Sequence, residues 1–103
     1  QVHDKLKTKA TVTATIDLSA NGIGEITLAA NTSFSFSGYE LNKEVLLVIT
    51  ANGFTPSFLT AARHKILAGS AEFSTTGVFY VSLRCIDATA SAEKLMTSIG
   101  VEV

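Results

Sequence analysis

Residues 78–86 read Val-Phe-Tyr-Val-Ser-Leu-Arg-Cys-Ile. Phe79, Val81, Leu83 and Cys85 occupy every second position, with Tyr80, Ser82 and Arg84 between them. Successive side chains on a strand point to opposite faces, so this spacing predicts a long, half-buried β-strand. The same period recurs upstream. Ala10, Val12, Ala14, Ile16 and Leu18 alternate with Thr11, Thr13, Thr15 and Asp17, and Ile26, Leu28 and Ala30 alternate with Glu25, Thr27 and Ala29. Between these runs Asn21-Gly22 and Gly24 tolerate positive φ, which predicts a hairpin joining the first two strands. Phe34 and Phe36 alternate with Ser33, Ser35 and Ser37, placing two aromatic rings in the core.

Val45-Leu46-Leu47-Val48-Ile49 is apolar without alternation. That pattern fits a central strand covered on both faces, by a second sheet or by a neighbouring subunit. Asn52-Gly53 follows and is a strong short hairpin signal, so the chain is expected to turn back from Phe54. Residues 55–68 admit two readings. Thr55-Pro56 could open a helix, but Pro56 also suits an edge strand, and the preceding turn favours the strand. In the tail, Ala92, Leu95, Met96 and Ile99 stand at helical spacing, which leaves a short C-terminal helix and a final edge strand both open. Together these segments predict an all-β chain, an antiparallel β-sandwich or jelly roll over residues 10–103, preceded by a polar arm at 1–9.

One domain is all that 103 residues accommodate. Eight Lys and Arg against nine Asp and Glu leave a net charge of -1, which supplies no positive field for nucleic acid or an anionic membrane. The longest apolar run falls far short of the roughly 20 residues a membrane-spanning helix requires. No signal-type apolar region follows Gln1, so no targeting sequence fixes the location. Cys85 is the only cysteine, which rules out an internal disulfide and predicts a buried, inert thiol.

Catalytic ingredients are sparse. His64, flanked by Arg63 and Lys65, could act as a base, but the flanking cations lower its proton affinity and no acid lies near in sequence; a solvated loop or strand-edge histidine is expected. Gly69-Ser70-Ala71 lacks the second glycine of a nucleophile elbow. His3 and His64 have no metal-binding partner at ligand spacing, and no phosphate-binding glycine loop occurs, so neither metal nor cofactor is expected. Tyr39, Tyr80, Arg63 and Arg84 are the groups that could stack on a sugar ring or anchor a protein.

The succession TIDLSANG (15–22), EITLAANTSFSFSG (25–38), LLVITANG (46–53) and TTGVFYVSL (75–83) resembles a β-sandwich domain recurrent in bacteriophage tail fibre and tail-associated proteins. The resemblance spans roughly residues 10 to 87, although the Gly-rich loop and tryptophan frequent in that family are absent here. It implies a non-enzymatic structural or assembly module of a virion, commonly a homotrimer, in contact with other virion proteins or a host-surface receptor. The alternative expectation is a stand-alone carbohydrate- or protein-binding module of an extracellular or cell-surface protein.

Overall fold

The computed structural model describes residues 9–11, 14–18 and 22–102. His3, Asn21 and the arm expected at 1–9, apart from Lys9, lie outside the described residues. Among the described residues nine strands form two sheets: β1 (Lys9–Thr11), β2 (Thr15–Asp17), β3 (Gly22–Thr27), β4 (Thr32–Ser37), β5 (Glu44–Thr50), β6 (Pro56–Phe58), β7 (His64–Ile66), β8 (Val78–Asp87) and β9 (Lys94–Val101). A 3-10 turn, Ala61–Arg63, separates β6 from β7. Among the described residues the chain is thus all-β.

The strand order is β1-β3-β5-β8-β9-β7 in the six-stranded sheet and β2-β4-β6 in the three-stranded one. Here the structure corrects the antiparallel expectation. β1, β3 and β5 pair in parallel, as do β2, β4 and β6, and β7 runs parallel to β9. Among the described residues only the β5/β8 and β8/β9 pairs are antiparallel. Parallel neighbours need a crossover connection. In this chain the crossover is a strand of the opposite sheet, so β1 to β6 alternate between the two sheets as a coil. The next strand, β7, rejoins the six-stranded sheet at its far edge, with β8 and β9 lying between it and β5.

Two expected hairpins therefore do not form. The alternating run 10–18 is divided between sheets, with a bend at Ala14, and β3 pairs with β1 in parallel. At Asn52-Gly53 the backbone has the positive φ values of a tight turn, 54° and 89°. The turn is nevertheless tied elsewhere: Asn52 Nδ2 donates to the Leu28 carbonyl at 3.1 Å, and the Gly53 N–H to that of Thr75 at 2.8 Å. The chain consequently crosses to the second sheet rather than pairing back on β5.

The core lies between the sheets. Ile16, Phe34, Leu47, Ile49, Phe79, Val81, Leu83, Cys85 and Leu95 are buried, with Phe36, Phe58 and Phe73 packed against them. The alternation read in residues 78–86 is followed by β8: Phe79, Val81, Leu83 and Cys85 are buried, and Tyr80, Ser82, Arg84 and Ile86 are exposed. On β5, Leu47 and Ile49 are fully buried and Val48 nearly so, while Leu46 is half-buried. The tail departs from both expected forms. Residues 94–101 make an interior strand between β8 and β7, and its buried positions, Leu95, Thr97 and Ile99, follow period two. The register to β8 decides this, because Leu95, Thr97 and Ile99 stand opposite Cys85, Leu83 and Val81 over the core.

Candidate functional site

The six-stranded sheet presents its second face outward. Strand register sets Leu46 beside Ser82, Val48 beside Tyr80 and Glu44 beside Arg84. Across β8 and β9, Ser82 meets Ser98 and Arg84 meets Met96. A shallow depression of about 110 Å³ lies here, lined by Glu44, Leu67, Ser82, Arg84, Met96 and Ser98 among others. Small-molecule pockets typically exceed about 300 Å³, so this one accepts a side chain rather than a cofactor. Arg84 Nε lies 3.9 Å from Glu44 Oε2, both exposed. Tyr80 donates its hydroxyl to Glu102 Oε1 at 2.5 Å, and this bond is the main reason its proton is held more tightly than usual.

Tyr39 and Arg63 meet elsewhere, where the β4–β5 connection approaches the 3-10 turn. The Arg63 guanidinium lies 5.7 Å from the Tyr39 ring centroid, within cation–π range. Its Nη2 is 3.2 Å from Glu93 Oε1. That oxygen is shielded from water and the contact is not aligned as a hydrogen bond, so the attraction is chiefly coulombic. A hydrogen bond to Tyr39, and to a lesser degree the charge of Glu93, raises the proton affinity of Arg63. The four candidate side chains are thus divided into separate arrangements, each already engaged with a partner of its own.

His64 departs from its expected position. It is 7% exposed, on the inner side of edge strand β7. Its ring stacks on Phe58 at 3.8 Å and 9°, and Phe36 meets it edge-on at 5.1 Å. Phe58 in turn contacts Phe73, and Phe73 contacts Phe79, so an aromatic row bridges the sheets on the side where β6 and β7 are edges. Nδ1 lies 3.0 Å from Thr97 Oγ1, whose own hydroxyl donates to the Leu95 carbonyl at 3.1 Å. With that proton committed, the network assigns Nδ1 as the donor and the neutral Nδ1–H tautomer. Burial lowers the pKa of His64 from 6.5 to about 4. The cause is desolvation, not the flanking Arg63 and Lys65.

Thr97 and the phenyl rings of Phe58 and Phe73 were not singled out from the sequence. A period-two reading of residues 95–99 would have placed Thr97 on the buried face. Cys85 is fully buried, as expected, with its sulfur 3.5 Å from the Asp87 carbonyl. Among the described residues no group of three His, Cys, Asp or Glu side chains could hold a metal ion. The chain matches no protein-family model, no curated protein and no solved structure.

Proposed function

We propose that this chain is a non-enzymatic structural module of a phage virion, associated with the tail or a tail fibre, that assembles with copies of itself and presents a surface to a host receptor. The observation carrying this reading is the outward face of the six-stranded sheet, where Leu46, Tyr80 and Met96 stand with Val78 on adjoining strands, next to an edge bearing the exposed Ile66 and Leu67. Such side chains on a sheet face suit burial between subunits. The tail-protein pattern in residues 10–87 supports the virion setting and favours a trimer.

Light scattering coupled to size exclusion, run over a hundredfold range of concentration, tests the assembly. A closed oligomer that dissociates on Leu46→Glu is the expected result. A monomer at every concentration overturns the assembly reading in favour of a stand-alone carbohydrate- or protein-binding module.

A further inference from the structure

We propose that His64 is an acid-sensitive latch: its neutral ring holds β7 and the preceding 3-10 turn onto the aromatic row, and protonation releases this edge of the six-stranded sheet. The geometry supplies each part. The ring is sandwiched into a phenyl cluster, with Phe58 on its face and Phe36 at its edge. Its polar contact is the Thr97 hydroxyl, an uncharged group whose own proton is already directed at Leu95. A charge added there would be desolvated without a carboxylate to compensate it.

The charged groups on the packed elements confirm that shortage. β4 and β6 contribute none, since their sequences are TSFSFS and PSF. Arg63 and Lys65 on the His64 segment are cations, and Arg63 is directed at Glu93, just before β9. On β9 itself the ionisable group is Lys94, 3.6 Å from Asp87. Glu72, close to Phe73 in the chain, is exposed.

The held element is small enough to open alone. β7 has three residues and pairs on one side with β9. Beyond it the segment is tied to β9 by Leu67 N–H to the Thr97 carbonyl, Ala71 N–H to that of Ile99, and Ile99 N–H to Ser70 Oγ. Short edge elements with few such ties are where local opening concentrates. Opening returns the imidazole to water, where it binds a proton near pH 6.5 instead of about 4. The stabilisation is therefore complete above pH 6.5 and is lost as pH falls through 4. At pH 4.5 the opening equilibrium shifts by up to roughly 80-fold.

Hydrogen exchange followed by mass spectrometry at pH 7.5 and 4.5, corrected for intrinsic rates, reads this directly. Protection of residues 64–71 is expected to drop at least about tenfold more than that of β5 and β8, and the difference is expected to vanish in His64→Phe. Equal loss in all strands, or an unchanged pH response in His64→Phe, overturns the latch. Should His64→Phe fail to fold, an NMR titration of the wild-type imidazole decides: a midpoint well below 6.5 with concurrent broadening of β7 amides supports the proposal, and a midpoint near 6.5, or a lowered midpoint with β7 amides unchanged, overturns it.

Discussion

Replacing Thr97 by valine isolates the one hydroxyl that organises the buried end of β9. Thr97 is fully buried, and its oxygen both accepts from His64 Nδ1–H at 3.0 Å and donates to the Leu95 carbonyl at 3.1 Å. Valine keeps the shape and β-branching but strands the imidazole N–H among phenyl rings. A buried donor left without a partner costs about 1–3 kcal/mol, and the added methyl recovers about 0.8 kcal/mol of it, so a net loss of about 1 kcal/mol is expected. For a domain of this size each kcal/mol lowers Tm by about 4–8 °C. Urea unfolding at pH 7.5 and one fixed protein concentration measures it, with Thr97→Ser as the control that keeps the hydroxyl. Replacing both partners, as in His64→Phe with Thr97→Val, removes the stranded donor, so the double variant is expected to lose at least about 1 kcal/mol less than the two singles added together. The assignment of Nδ1 as donor is refuted if Thr97→Val is no less stable than Thr97→Ser, or if the two changes are additive.

Gly77 has a φ of 103°, and a Cβ there would stand 3.3 Å from Val101 Cγ2. Gly77→Ala is expected to cost about 1–3 kcal/mol from backbone strain, and somewhat more than Gly53→Ala, where φ is 89° but the added carbon meets open space; paired thermal melts compare them. Cys85 is fully buried on β8, so its thiol is expected to react with an aromatic disulfide reagent only as the protein unfolds, with a rate that rises with urea. Immediate reaction in buffer would show that the β8–β9 half of the core opens readily.

Strand faces were legible in the sequence because they depend on local alternation. Phe79, Val81, Leu83 and Cys85 turn inward as their spacing requires, and Tyr80 and Arg84 turn outward. Pro56 could be placed on an edge strand for the equally local reason that it lacks an N–H to donate within a sheet. The tail was harder. Apolar residues at 92, 95, 96 and 99 satisfy a helical stripe as well as a strand, and only pairing with both β8 and β7 resolves it.

The all-β class, the inward and outward sides of β8 and the absence of a disulfide framework all follow from residue type and short spacing. Which strands are neighbours, and in which direction they run, depends on contacts between distant segments. Backbone hydrogen bonds carry no record of side-chain identity, so the positive-φ turn at Asn52-Gly53 could serve a hairpin or a crossover until its bonds to Leu28 and Thr75 formed. The same holds for His64, which lies between cations in the chain yet is governed by Phe36, Phe58 and Thr97. Its partners on β4 and β9 lie 28 and 33 positions away, and burial among them is a property of packing that no local pattern contains.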